Sequence, residues 1–297
     1  MNSQTNQIFI ASKGTGRLYK VDGATNSVIT SWPSGSEPFG VAVNRNTNKV
    51  YVANYASATV TIFDGASGAL LKTIDFAPLS YGQPSFVAID ETLNRAYVTL
   101  HAGGRLAVID GATNNLLTTI EVGGGAFGVA VHPGLQRAWV STRDTDSITT
   151  VDTSTNTRMW AQTLFPGGTP YAVAVDTARN KLYVLYALHG AAPDRVAIYR
   201  ISSTGADREE TVLVGNGGAA GGTGLAVNLT TGHIFVANSA QNSVSVIDGA
   251  TKAVIATVGV GAEPGMIGVN LATNRVYVSN RGDDTVQVLL DTFSRRR

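Results

Sequence analysis

Two of the four histidines in this 297-residue chain, His101 and His189, are the side chains best suited to proton transfer or metal ligation near neutral pH. Combined with Glu37 or Glu263, they have the donor set of a divalent-metal site, or of a base and an acid working across one bond. None of these four positions is a near neighbour of another in sequence, so only a fold that gathers distant segments could make a site of them. There is no cysteine, which removes disulfides, thiolate nucleophiles and Cys-ligated zinc or iron–sulfur centres. A Ser-His-Asp reading lacks the Gly-x-Ser-x-Gly elbow. The glycine-rich run from Gly215 to Gly222 has the composition of a phosphate cradle without the Lys-Ser/Thr and following helix of a P-loop, and reads as a loop. Arg281-Gly282-Asp283 has the form of an adhesion tripeptide, but a tight turn accounts for its Gly-Asp. Asn228-Leu229-Thr230 fits a glycosylation acceptor that falls on a recurrent turn, and Arg295-Arg296-Arg297 reads as a solvated end. No catalytic residue, metal or cofactor is assigned on these patterns.

The elements that would position such residues repeat. Pro38-Phe39-Gly40-Val41-Ala42-Val43-Asn44 is followed by Lys49-Val50-Tyr51-Val52-Ala53-Asn54 and then by Thr59-Val60-Thr61-Ile62-Phe63-Asp64. The closing acid recurs at Asp22, Asp64, Asp110, Asp152 and Asp248, is replaced by Arg200, and slips to Leu290 beside Asp291. A second anchor, at Asn44, Asp90, His132, Asp176, Asn228 and Asn270, keeps step with the first. Units of this length that stay in register stack as one array.

Each unit reads as four short strands, A to D, because every run is five to seven residues rich in Val, Ile, Tyr and Thr and bounded by turn residues. Strand A shows little polar alternation and is expected to be buried on both sides, with C and D half-buried. Asp-Gly after strand C predicts a tight hairpin in which glycine supplies the positive φ. Asn or Gly before strand B, at Asn6, Asn48, Asn94, Asn180, Gly232 and Asn274, does the same for the A–B turn. The Asn, Asp and His residues that end the A strands read as turn caps.

Four-stranded units of this size bury their faces best by packing radially, so the fold class is all-β, a seven-bladed β-propeller of four-stranded antiparallel blades in one domain, 1–297. The runs Lys49-Val50-Tyr51-Val52-Ala53-Asn54 and Arg275-Val276-Tyr277-Val278-Ser279-Asn280, each followed by a C strand, resemble the YVTN family of β-propeller repeats, from about Gln7 to Asp291. That resemblance implies a propeller of the kind found in surface-layer, periplasmic and redox-associated proteins and says little about activity. The copies at Ile8–Ser12 and Ala138–Thr142 depart from Tyr-Val-x-Asn. The chain opens on a B strand and stops after a C strand, so the end blades are expected to be incomplete. Either a leading segment has been trimmed, or the seam is imperfect and its unpaired edges invite dimerisation. The alternative is a six-bladed ring in which Pro264–Val269 pairs with the first three strands.

In a propeller the B–C and D–A loops share one face. Lys13, Tyr55, His101, Arg143, Tyr186 and Arg281 follow successive B strands, and Glu37, Gln83, Phe127, Thr169, Gly224 and Glu263 precede successive A strands. Glu37, Tyr55, His101, Arg143, Tyr186, His189, Glu263 and Arg281 are the candidate ligand-binding residues. Three insertions, Asp75–Gln83, Tyr186–Asp194 and Gly215–Gly224, join strands on the same face, and the last two are expected to form a wall beside the channel mouth. The first functional reading is a non-catalytic binding or scaffold propeller for a protein, glycan or small ligand. The competing reading is a hydrolase or lyase, similar to propeller lactonases or streptogramin lyases, with a metal near His101, His189 and Glu263. A net charge of +1 gives no field for nucleic acid. No apolar run is long enough to span a membrane. Charged residues make up 14% of the chain against roughly 25% in an average domain, a polar, uncharged composition that leans towards an extracytoplasmic protein, monomeric or dimeric through its seam.

Overall fold

A computed structural model describes residues 1–79, 82–163, 168–188, 193–215 and 224–293. The strands form seven antiparallel sheets that follow one another along the chain. The first holds β1 (Gln7–Ser12), β2 (Arg17–Asp22) and β3 (Val28–Pro33), and the second β4 (Pro38–Asn44), β5 (Lys49–Asn54), β6 (Thr59–Asp64) and β7 (Leu70–Asp75). The third holds β8 (Pro84–Asp90), β9 (Arg95–Leu100), β10 (Arg105–Asp110) and β11 (Leu116–Glu121), and the fourth β12 (Ala126–His132), β13 (Arg137–Thr142), β14 (Ser147–Asp152) and β15 (Thr157–Thr163). In the fifth are β16 (Gly168–Asp176), β17 (Lys181–Leu188), β18 (Arg195–Ile201) and β19 (Ala206–Leu213), and in the sixth β20 (Leu225–Val227), β21 (His233–Asn238), β22 (Ser243–Asp248) and β23 (Ala253–Gly259). The last is β24 (Pro264–Asn270), β25 (Arg275–Asn280) and β26 (Thr285–Leu290).

The fold is thus all-β, with the seven blades of a propeller, four-stranded except for a first sheet without an A strand and a last without a D strand. Pro264–Asn270 pairs with Arg275–Asn280 in its own sheet, which overturns the six-bladed alternative. Two compact units divide the chain, Met1–Gln162 and Thr163–Arg297. Within each unit the A strands of successive sheets lie against one another, as β4 does on β8 and β16 on β20.

Burial corrects one expectation. Strand C is as fully buried as B, not half-buried: β5 and β6 are covered throughout their interiors, whereas strand A varies from the half-buried β4 to the almost wholly buried β12, and β7 is mostly exposed. B and C have a strand on each side and neighbouring sheets on both faces. The edge strands A and D lack one of these covers. Tyr51, Val60, Ile62, Phe76, Val98 and Ile109 form one such inter-sheet core in the first unit, and Tyr183, Ile198, Ile234 and Val236 belong to one in the second.

The turns correct another. The Asn before strand B does adopt positive φ, 53° at Asn48 and 50° at Asn94, and Gln136 takes this place in the fourth sheet. The glycine of Asp-Gly does not. Positive φ falls four residues after the aspartate, at Asn26, Gly68, Asn114, Asn156 and Lys252. What excludes a side chain at Gly65 is crowding, since a Cβ would stand 2.6 Å from the Asn48 carbonyl oxygen, to which the Gly65 amide donates at 2.7 Å. The preceding aspartate caps the turn, Asp64 accepting from the Ala66 and Ser67 amides.

Caps end the A strands as read: Asn44 accepts from the Asn46 and Thr47 amides, Asp90 from Thr92 and Leu93, and His132 Nδ1 from Leu135. These caps also link neighbouring sheets, with the Asn44 amide donating to Asn94 Oδ1 at 2.9 Å and that of Asn228 to Asn274 Oδ1 at 3.2 Å. The asparagine that closes Tyr-Val-x-Asn pins the B–C turn. Asn54 Nδ2 donates to Thr59 and Thr61 Oγ1, both at 3.1 Å, and Asn238 repeats this with Ser243 and Ser245.

Candidate functional site

In the second, third, fourth and last sheets the residue after strand B and the residue before strand A are backbone partners. The Tyr55 amide donates to the Glu37 carbonyl at 2.9 Å, His101 to Gln83 at 3.0 Å and Arg143 to Gly125 at 3.1 Å. Each acceptor residue sits at positive φ, 50° at Glu37, 67° at Gln83 and 66° at Gly125, a conformation that turns the chain sharply into strand A. Immediately afterwards the A–B pairing loses register, between Pro38 and Val41, Pro84 and Val87, and Ala126 and Val129. A bulge of this kind re-aims side chains. Here it carries one phenylalanine in each of three consecutive sheets.

Phe39, Phe86 and Phe127 consequently meet edge to face in the first unit, with centroids 5.4 Å apart for Phe39–Phe86, 5.7 Å for Phe39–Phe127 and 5.0 Å for Phe86–Phe127. Tyr55 packs 6.4 Å from Phe39 and 6.3 Å from His101, and His101 lies 6.0 Å from Phe127. The Arg143 guanidinium stands 5.0 Å from the Phe127 centroid. Aromatic pairs of this kind contribute about 0.5–1.5 kcal/mol each beyond their burial, and a cation over a ring about 0.5–2 kcal/mol. The Tyr55 hydroxyl donates to Gln83 Oε1 at 3.1 Å, fixing the ring that borders the cluster. Phe127 is buried; Phe39, Phe86, Tyr55, His101 and Arg143 are half-buried and still reach solvent.

Electrostatics distinguish His101. Burial, and then the Arg143 guanidinium, hold its imidazole below the ordinary value, against the opposing pull of Asp144 and of the Ala126 and Gly125 backbone. The ring is therefore neutral at neutral pH, and its buried Nδ1 has no hydrogen-bond partner. The cluster combines apolar rings, one permanent cation and one neutral imidazole. Glu37 turns instead to Lys13, in an exposed ion pair at 3.2 Å of the kind worth about 0–1 kcal/mol.

The other candidates belong to the second unit. Arg281 donates to Glu263 Oε2 from Nε at 3.0 Å and from its terminal nitrogen at 2.9 Å, while its amide donates to the Glu263 carbonyl at 3.0 Å. The Asp283 carboxylate accepts from the Ala262 amide. Both ends of Arg281-Gly282-Asp283 are thus tied to the turn at 262–263. Tyr186 is not in a loop, because β17 runs on to Leu188 and buries the ring completely. His189, most of the Gly215–Gly224 insertion and residues 189–192 of the other insertion lie outside the described residues, and with them the expected wall and the second histidine of the metal reading. Among the described residues no three His, Asp or Glu side chains are arranged to hold a metal ion. Asn228 is buried, its amide donating to Asp291 at 2.7 Å as well as to Asn274, which closes the glycosylation acceptor in the folded protein.

Sequence reasoning missed Phe39 and Phe86. The signal lay in the A-strand phrase itself, whose second position is aromatic at Phe39, Phe127 and Tyr171, but a recurrent residue reads as scaffold. In the third sheet the ring sits one place later, at Phe86, and the bulge absorbs the difference.

No protein-family model and no curated protein matches the chain in sequence. Solved structures do match it in shape. A hydrazine synthase of Kuenenia stuttgartiensis aligns with a TM-score of 0.88 at 15% identity, over 99% of this chain and 95% of that one. The β-propeller domain of Cps50 (Swd1) from Myceliophteria thermophila aligns at 0.80 with 8% identity, over 98% and 96% of the two chains. A Bacteroides uniformis protein named as a candidate 6-phosphogluconolactonase aligns at 0.80 with 13% identity, over 95% and 92%. At these identities the likeness shows the propeller fold and nothing of activity.

Proposed function

We propose that this chain is a non-catalytic binding propeller that holds a ligand or a partner's side chain against the ring cluster of its first unit. The contiguous line Tyr55–His101–Phe127–Arg143 carries the reading, because Tyr55, His101 and Arg143, the variable residues that follow three successive B strands, meet around one ring. Loops on a rigid scaffold are where binding residues concentrate. A largely apolar surface with a few fixed polar groups is the usual composition of a ligand site. The chemistry suits a planar or apolar group with an anionic end: the rings take the apolar part and Arg143 the charge. Such a group could belong to a protein, a glycan or a small molecule.

The repeat type, 1–297 as a single domain and an extracytoplasmic location are part of the same proposal. They are supported by the Tyr-Val-x-Asn phrases, the fold match along nearly the whole chain, and a composition low in charge.

Saturation-transfer NMR with 1-naphthoate tests the site. Transfer to the wild-type protein and its loss in a Tyr55→Ala/Arg143→Ala variant are expected. No transfer to the wild type, or equal transfer to the variant, would refute the assignment.

A further inference from the structure

Two rings of the cluster stand on strand-A bulges that the sheet ladder does not serve. Register is lost between Pro84 and Val87 and between Ala126 and Val129, so Phe86 and the Phe127–Gly128 peptide fall in the gaps. Backbone groups inside a protein still need partners, and two side-chain hydroxyls supply them. The Phe86 amide donates to Thr99 Oγ1 at 3.0 Å, and the Gly128 amide to Ser141 Oγ at 2.7 Å. The Thr99 hydroxyl has one proton to give, and the Phe127 carbonyl at 2.5 Å is nearer to it than the Phe86 carbonyl at 3.4 Å. The peptide that follows Phe127 is thus held at its carbonyl by Thr99 of the third sheet and at its amide by Ser141 of the fourth. Both hydroxyl residues are 0% exposed.

The bulge itself does not require these hydroxyls. Thr99 and Ser141 occupy the fifth position of strand B, where β5 has Ala53 and β17 has Leu185. The A strands beside those two, β4 and β16, lose register at the same place, between Pro38 and Val41 and between Pro170 and Val173. A hydroxyl at the fifth position is therefore additional to what the repeat needs to fold. The bonds of Thr99 tie the backbone of Phe86 to that of Phe127 in the next sheet, and these are the two rings that meet at 5.0 Å. Two residues further along the chain, Thr99 leads to His101 and Ser141 to Arg143.

We infer that Thr99 is a positioning residue of the ring cluster: its hydroxyl fixes Phe127 against Phe86 and so sets how tightly the cluster holds an aromatic anion. The second half of this statement rests on the binding reading given above. Rings already held in place cost a ligand less than rings that must be ordered as it binds. Thr99 touches no ligand itself, because it is wholly buried and acts through the backbone of its two neighbours.

Thr99→Val keeps the shape of the side chain and removes its hydroxyl. The expected result is a Kd for 1-naphthoate raised by about tenfold, with displaced NMR signals of the Phe127 and His101 rings in the free protein. Thr99→Ser, which keeps the hydroxyl, should restore both. Ser279→Ala is the control: at the same repeat position of the last sheet its hydroxyl accepts from the Met266 amide at 2.9 Å, so its loss weakens a bulge outside the cluster and should leave the Kd and the His101 signals unchanged. Hydrogen exchange of the wild type needs no variant, and the Phe86 and Gly128 amides should exchange as slowly as those of the ladder. The positioning role is overturned if Thr99→Val leaves the ring signals and the Kd as in wild type, if Thr99→Ser fails to restore them, if Ser279→Ala raises the Kd equally, or if the two amides exchange as freely as those of exposed turns. A wild type that binds no 1-naphthoate refutes the binding reading instead, and the ring signals of the same variants without ligand then decide the positioning role by themselves.

Discussion

Truncating Phe127 to alanine removes the ring against which Phe39, Phe86, His101 and Arg143 all pack, at 5.7, 5.0, 6.0 and 5.0 Å. Phe127 is 6% exposed, so nearly all of its ring is lost from protein contact. Phenylalanine truncations in cores cost about 3–5 kcal/mol. The neighbours here are half-buried, and the hole can partly close or hydrate, so the low end, about 3 kcal/mol, is expected. On the scaling of 2–4 °C per kcal/mol for domains of 150–250 residues, Tm falls by about 6–12 °C, nearer the smaller figure for a chain of this length. A second readout is independent of stability. Because burial is the main reason that the His101 imidazole sits low, opening the cluster to water raises its titration midpoint towards about 6.5. Thermal unfolding gives the first number and an NMR titration of the imidazole protons the second. Phe127→Leu, which keeps most of the volume, should move both less. A Phe127→Ala protein with wild-type Tm and an unmoved His101 midpoint would show that the rings do not form a cooperative cluster.

Three further outcomes follow from the geometry. Gly65→Ala drives a Cβ to 2.6 Å from the Asn48 carbonyl and should cost about 1–3 kcal/mol in urea denaturation, whereas Gly14→Ala, with open space around it, should stay within about 0.5 kcal/mol. Asp291→Ala removes the buried acceptor of Asn228 at 2.7 Å, Thr231 at 2.6 Å and the His233 ring at 2.7 Å; at about 1–3 kcal/mol for each stranded group the loss should be at least about 3 kcal/mol, read by the same assay. The pH dependence has a definite sign. Below about pH 6.5 the unfolded chain binds a proton that folded His101 resists, so this contribution to stability is complete above that pH and falls as the pH drops through the window beneath it. His101→Gln should flatten the stability profile there relative to wild type, and an unchanged slope would remove His101 as its source.

The fold was legible in the chain because a repeat states its own rules. Strand lengths, the asparagines at positive φ, the capping residues at the ends of the A strands and the seven-fold count all follow from residue type and spacing. Burial was misjudged for strand C, because the alternation in a run such as Thr-Val-Thr-Ile-Phe-Asp cannot show that neighbouring sheets cover both of its faces, and β6 is buried throughout its interior. The glycine of Asp-Gly was assigned the wrong duty because sequence shows a turn but not the neighbouring carbonyl it must admit. At the site, Tyr55, His101 and Arg143 stood out by differing at one repeat position. Phe39 and Phe86 did not, since they belong to the recurring phrase and acquire their role from a bulge that no local pattern announces.

The most direct test of the ring cluster as the binding surface is a titration of the isotope-labelled protein with 1-naphthoate, following the ring resonances of its four histidines. Saturable movement of the His101 signals, with those of His132 and His233 unmoved, is the expected result. Movement of His132 or His233 while His101 stays fixed would place binding elsewhere and contradict it.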